Sequence, residues 1–224
     1  MKLYMNPVSP ASRAVMLFAA EAGIELDRQV VDLSTGEQAQ PAFQAVNPVG
    51  LVPVLEDGGF RLTESSAILK YLADKTGSPT YPTDPQDRAR INEAMDWCNA
   101  NLYRDLGFNL VYPQLFPHHA RRSAEGTAAA VAWGLERTRH WLDILDRHLI
   151  GPDASHLCLG RLTLADFLGA GQITLAEAIG FDFGAYPNVA RWLDGMKALP
   201  GWAAVNADFD ALVASLDGQA FLAA

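Results

Sequence analysis

Asn47-Pro48-Val49-Gly50-Leu51-Val52-Pro53-Val54-Leu55, followed after a short turn by Leu62-Thr63-Glu64-Ser65-Ser66-Ala67-Ile68-Leu69, is the stretch from which the rest of the chain can be read. An apolar strand is interrupted by a proline, a turn follows, and a helix opens with Glu-Ser. Pro53 has no amide hydrogen, so it suits a strand start or edge better than the middle of a ladder. Proline also reaches the cis state at a cost of only about 0.5–1 kcal/mol, and with a cis Val52-Pro53 bond the chain would turn sharply there. Val52's own amide and carbonyl then face outward, open to a short extended ligand that pairs as an added strand. Ser65 falls at a helix start, where free amides and the macrodipole attract a carboxylate. Glu64 beside it suits an ammonium group. The combination reads as a socket for a ligand carrying both an amine and an acid, although each piece alone is also an ordinary edge-strand proline or helix cap.

Outward from this stretch the pattern is α/β. Lys2 to Met5 reads as a strand, and Asn6-Pro7-Val8 as a loop that delivers Ser9-Pro10 to a helix through Ala14, Val15, Leu17 and Phe18. Serine at the cap with proline next is a standard helix entry, and Gly23 is a stop. Gln29 to Leu33 reads as a second strand, followed by a polar loop with Gly36 and Gln38 and a helical piece at Ala42-Phe43. Asp57-Gly58-Gly59 joins Val52–Leu55 to Phe60–Leu62 as a hairpin. The helix from Ser65 repeats apolar residues at Ile68, Leu69 and Leu72 and ends near Gly77. This order makes one small α/β layer.

Pro79, Pro82 and Pro85 punctuate the next stretch, which is assigned to a linker. Beyond it Ile91, Met95, Cys98, Leu102 and Leu106 recur at helical spacing, as do Val131, Leu135, Leu142, Leu145 and Leu149. Thr163-Leu164-Ala165-Asp166 has the form of a capping box with aspartate in the acidic place. Tyr186-Pro187-Asn188-Val189 opens a further helix, which Pro200-Gly201-Trp202 closes. No strand signal follows residue 80. The expected division is residues 1–77 as an α/β ligand-binding domain, 78–87 as linker and 88–224 as an all-α domain.

The chain has 224 residues, half of them apolar, which is enough for a sizeable core. A formal charge of −9 disfavours nucleic acid and anionic membrane surfaces as partners. Cys98 and Cys158, the only cysteines, are far apart, which argues for a reducing compartment and against a disulfide scaffold. Met1-Lys2-Leu3-Tyr4 begins on a strand-like run without a leader pattern, so a cytoplasmic location is expected. Leu162 to Phe181 is broken by Asp166, Gln172 and Glu177 and reads as a buried helix rather than a membrane span. His118-His119 would point apart on a helix and no third ligand is spaced to join them, so no metal site is expected.

The first half, with Ser9 to Val15, Gln38, Asn47-Pro48, Val52-Pro53 and Glu64-Ser65 in step, resembles the thioredoxin-like half of cytosolic glutathione transferases. Thr163-x-x-Asp166 and Tyr186-Pro187-Asn188-Val189-x-x-Trp192 extend the resemblance into the all-α half. Among subfamilies the chain is most similar to the serine-using theta and zeta types, of the bacterial kind. The resemblance implies a thioredoxin-like domain followed by a helical bundle, a homodimer, and glutathione as co-substrate in detoxifying conjugation to a small electrophile. It implies Ser9 as the hydroxyl that activates the thiol, with Ser12 as runner-up and Tyr4 as a core residue. It further implies Val52 and Pro53 along the cysteinyl backbone, Glu64 and Ser65 at the γ-glutamyl end, and Gln38 at the glycine carboxylate. Theta-type proteins tend to carry a basic residue in the Gln38 loop, and here Arg13 or a partner subunit is the alternative. The electrophile is expected between the domains, near Ser12, Asn99, Asn101, Tyr103, Arg104, Phe108, Tyr112 and Phe116, with Ser12 otherwise a solvent-facing residue. Two other readings belong to the same scaffold: a glutathione-dependent isomerase or dehalogenase, and a non-catalytic binding protein. The double-serine-cysteine run of zeta isomerases is replaced here by Ser9-Pro10-Ala11-Ser12.

Overall fold

The computed structural model describes residues 1–223. Strands β1 (Lys2–Met5), β2 (Asp27–Val30), β3 (Val54–Asp57) and β4 (Phe60–Leu62) form one sheet in the order β2-β1-β3-β4. β1 runs parallel to β2 and antiparallel to β3, which pairs antiparallel with β4. Helices α1 (Pro10–Glu21), α2 (Pro41–Gln44) and α3 (Ser65–Thr76) complete a thioredoxin-like half. β3 begins two residues later than the proline-containing run suggested, because Val54 is the first residue after Pro53 able to donate to a ladder. β2 likewise ends at Val30, before the expected Leu33; Val31 turns inward to pack with Phe43 and Val54. The β3–β4 turn is Gly58-Gly59, both at positive φ (57° and 90°), as a two-residue hairpin demands.

The second half is helical. α4 (Pro85–Trp97) continues without a break into a π-helical stretch, Cys98–Val111, and then α5 (Tyr112–Leu115). α6 (Ala124–Ile144) likewise runs into a π-helical turn, Leu145–Ile150. α7 (Leu164–Ile173) with its 3-10 extension Thr174–Ile179, α8 (Pro187–Lys197) and α9 (Trp202–Ser215) follow. No strand follows β4 among the described residues, and no helix there is long and apolar enough to cross a membrane.

Two features of the helical half also differ from the sequence reading. α4 starts at Pro85, inside the stretch assigned to the linker. Proline loses no bond at a first helical position, and Asp84 caps the turn by accepting from the Gln86 and Asp87 amides at 2.9 Å each. Trp202 opens α9 rather than closing α8; Trp202, Val205, Asn206 and Phe209 fall on one buried face.

α7 is buried on every side and is the post around which the halves meet. Its start is the Thr163–Asp166 capping box, and the Asp166 carboxylate also accepts from the Leu157 amide (2.8 Å) and Trp192 Nε1 (3.0 Å). With four donors on two oxygens, the buried charge is satisfied. Gly171 lets α1 seat directly on this helix: a Cβ there would lie 2.7 Å from the Pro10 carbonyl oxygen. Phe18 of α1 meets Phe167 of α7 edge to face, with centroids 5.5 Å apart. Such a pair adds about 0.5–1.5 kcal/mol beyond its buried area. One apolar core therefore runs through both halves, with a small second cluster on the other face of the sheet.

Candidate functional site

Strand direction gathers the predicted ligand-binding residues at one end of the sheet. β1 and β2 are parallel, so the segments leaving them, which carry Ser9 and Gln38, emerge together. β3 runs the opposite way and begins at that end, directly after Val52-Pro53. β4 returns and finishes there, handing the chain to Glu64-Ser65.

Ser9 is set by the loop before it. Asn6, nearly buried, donates from Nδ2 to the Val31 carbonyl (2.9 Å), accepts from Val8 N at Oδ1 (3.1 Å) and takes the Ser9 amide on its own carbonyl (3.1 Å). Ser9 is half-buried and caps α1: its Oγ accepts from Ser12 N at 3.4 Å. A hydroxyl has two acceptor sites and one donor, so the cap uses an acceptor and leaves the O–H free to donate. Ser12 is neither solvent-facing nor part of an electrophile site. It is fully buried, and its Oγ accepts from the Asn6 amide at 3.3 Å, because α1 is enclosed on nearly all sides.

The Val52–Pro53 bond is cis. Neither the amide nor the carbonyl of Val52 has a hydrogen-bond partner among the described residues, so both stand open beside the sheet end. A buried asparagine again fixes the preceding loop: Asn47 Nδ2 donates to the Leu51 carbonyl (2.8 Å) and Asn47 Oδ1 accepts from Val49 N (3.1 Å). Gly50 sits at φ +69°, where a Cβ would lie 3.1 Å from the Gln38 carbonyl oxygen, so the Gln38 loop rests against this one. Gln38 Oε1 is out of solvent with no partner among the described residues. Glu64 adopts φ 65° and ψ 115°, a conformation that costs a residue other than glycine about 1–3 kcal/mol. Its side chain is exposed, Ser65 is half-buried, and neither side chain bonds to any described residue.

On the helical side, Tyr103 and Tyr112 are hydrogen-bonded to each other through their hydroxyls, and Phe108 lies edge-on to both rings, with centroids at 5.6 and 5.3 Å. Phe116 and His119 extend the cluster from Tyr112. Gly107 makes room for it, since a Cβ there would come within 2.9 Å of the Tyr103 ring. Burial pushes the Tyr103 phenol up to about 12 and Tyr112 well above its usual value, so both stay protonated; one O–H is used in the bond between them and the other remains free to donate. Asn101 is half-buried and unbonded, whereas Asn99 Oδ1 takes a 2.6 Å hydrogen bond from Gln172 of α7.

Several expectations are corrected here. Arg104 is exposed and pairs with Asp105, whose carboxylate also accepts from Trp141 Nε1 and Asn109, so it belongs to the junction with α6 and not to the aromatic cluster. Arg13 does not reach the Gln38 loop. It is 2% exposed and donates to Thr174 Oγ1 (3.1 Å), Asn206 Oδ1 (2.7 Å) and the Gly171 carbonyl (3.1 Å). His118 and His119 do not point apart: the 3-10 turn Pro117–His119 brings their rings to 4.5 Å. Tyr4 packs edge-on to Phe43, as a core residue. No cluster of three or more metal-ligating groups exists among the described residues. The sequence reading passed over Asn6 and Asn47 as organisers of the two loops; in each case the signal was an asparagine directly before a proline.

Comparison with known proteins places two family models on the chain: "Glutathione S-transferase, N-terminal domain" over residues 1–74 and "Glutathione S-transferase, C-terminal domain" over residues 103–200. The chain is 35% identical over 206 residues to glutathione S-transferase D7 of Drosophila melanogaster, covering 89% of this chain and 86% of the relative. Among solved structures it is similar to human glutathione transferase theta-2 in complex with glutathione, with TM-score 0.84, 31% identity, and 96% and 88% of the two chains covered. A delta-class glutathione transferase from Nilaparvata lugens superposes with TM-score 0.78 at 31% identity, over 96% of this chain and 99% of the other.

Proposed function

The chain belongs to the glutathione S-transferase family, and from that premise we propose that glutathione lies across the sheet end with its sulfur over the mouth of α1, where the Ser9 hydroxyl holds it as thiolate for attack on a small electrophile. Val52 pairs with the cysteinyl backbone beside Pro53, Glu64 and Ser65 hold the γ-glutamyl end, and Gln38 meets the glycine carboxylate. The observation that carries the reading is Glu64: a costly backbone conformation is kept at an exposed residue, next to an unengaged serine and an unpaired Val52 backbone.

The energetics suffice. A free thiol has a pKa near 8.5, and lowering it by about two units means favouring the thiolate by about 2.7 kcal/mol. A hydrogen bond to a charged acceptor supplies about 1.5–3 kcal/mol and a helix N-terminus about 0.3–2. Ser9 offers both at once, because capping and donation use different parts of the hydroxyl. The electrophile sits against Tyr103, Phe108 and Tyr112, with Asn101 and Asn99 at the rim. The serine, and the similarity to theta and delta enzymes, favour a serine-using theta-like conjugating enzyme over a zeta isomerase. The domain division at 77 and 88, a homodimer and a cytoplasmic location complete the proposal.

The test is Ser9→Ala. Loss of one donor aimed at a developing or resting anion costs about 10²–10³-fold in kcat. We expect that loss on a chloronitroaromatic substrate with glutathione affinity kept; unaltered turnover would reduce Ser9 to a cap.

A further inference from the structure

Arg13 is a buried cation without a carboxylate against it. Its three hydrogen-bond partners, Thr174, Asn206 and the Gly171 carbonyl, are all neutral, and its guanidinium lies 3.7 Å from the centre of the Phe209 ring. The acids that reach it do so only at range: Glu177 is paired with Lys197 at 2.8 Å, and Asp210 is exposed on α9. Burial lowers its pKa to about 10, so it remains charged at neutral pH. The same charge pulls the Tyr103 and Tyr112 phenols downward against the larger effect of their burial, so its field reaches the aromatic cluster.

Arg13 stands one helical turn after Ser9, with its amide donating to the Ser9 carbonyl at 2.8 Å. Helical side chains lean toward the N-terminus, which carries the guanidinium back toward the α1 mouth. Resting on the reading of Ser9 given above, we infer that Arg13 is an electrostatic positioning residue: its uncompensated charge, added to the helix end, helps hold the bound thiol as thiolate without touching it. A unit charge roughly 10 Å away, at an effective dielectric near 20, moves a pKa by about one unit. Glu64, at the proposed γ-glutamyl end, acts in the opposite sense; α7 and α9, packed on α1, contain no lysine or arginine, and α3, also packed on it, carries Lys70 and Lys75, the latter paired with Asp57.

The experiment compares three variants by ultraviolet titration of the thiolate of bound glutathione and by the pH profile of kcat/KM. Arg13→Gln removes the charge. Asn206→Asp keeps the arginine and neutralises it through a contact now 2.7 Å long. Asn206→Leu loses the same hydrogen bond but leaves the charge. We expect the thiol pKa to rise by about one unit in the first two and to stay near wild type in the third, although all three lose stability. If Arg13→Gln does not fold, the two Asn206 variants decide by themselves. Equal thiol pKa values in wild type and Asn206→Asp, or an equal rise in Asn206→Leu, would overturn the inference. Absence of any thiolate in the wild-type complex would instead overturn the Ser9 reading, and this inference with it.

Discussion

The two halves of the proposed site are built by different means. At the sheet end the features that face a ligand are set by the main chain: an unpaired Val52 backbone, Glu64 at φ 65°, a helix start at Ser65 and a capped start at Ser9. On the helical side, the aromatic cluster is made of side chains carried on a π-helical stretch and α5. A backbone-built surface recognises one ligand backbone and tolerates little change. A side-chain wall is open to substitution without loss of the fold, so on the proposed reading variation in electrophile falls on the aromatic cluster while the sheet end stays constant.

This contrast can be broken first at Glu64. Glu64→Gly relieves a strained φ, so we expect unfolding in urea to show a gain of about 1 kcal/mol. Glutathione affinity by calorimetry should nevertheless fall by about 10–100-fold, the worth of a charge-assisted hydrogen bond. Stability and binding moving together would mean that the conformation serves folding alone. On the helical side, Tyr112→Phe strips the partner from the Tyr103 hydroxyl and should cost about 1 kcal/mol of stability. Electrophile KM should change and glutathione affinity should not; a shift in glutathione affinity would blur the division. The smallest effect concerns pH. Burial first, then His118 and Arg121, depress the His119 pKa, so the folded state binds this proton less readily than the unfolded chain. Stability from this residue is intact above the unfolded pKa near 6.5 and falls as pH drops from there through the folded value. His119→Gln should flatten that part of the urea-midpoint profile below about pH 6.5.

What the sequence made legible were features with short-range causes. Pro53, Gly58-Gly59 and Thr163-x-x-Asp166 each act within a few residues, and the turn, hairpin and capping box stand where those residues put them. Features that depend on distant partners were not legible. Asn206 on the buried face of α9 reads as a solvent residue until Arg13, 193 positions away, is seen to donate to it. Ser12 likewise shows its role only when the Asn6 loop folds over it. The π-helical stretch left a faint mark, Cys98, Leu102, Leu106 and Leu110 at steps of four, wider than the usual helical repeat, and an ordinary helix reading absorbed it. For the proposed site, Ser9, Val52, Glu64 and Ser65 stand in local motifs that the sequence displays; which of the residues around Tyr103 share a face was not legible, since Arg104 and Asn99 turn to other partners.

The glycine at position 171 gives the seam between the halves an unusual kind of tolerance, because the spacing there is defined by an atom that is missing. A single methyl group on α7 would act as a shim under the first turn of α1 and would tilt the seat of Ser9. Drift in the geometry of the proposed site can thus originate in a helix remote in sequence, and screens confined to the positions lining that site would pass over it.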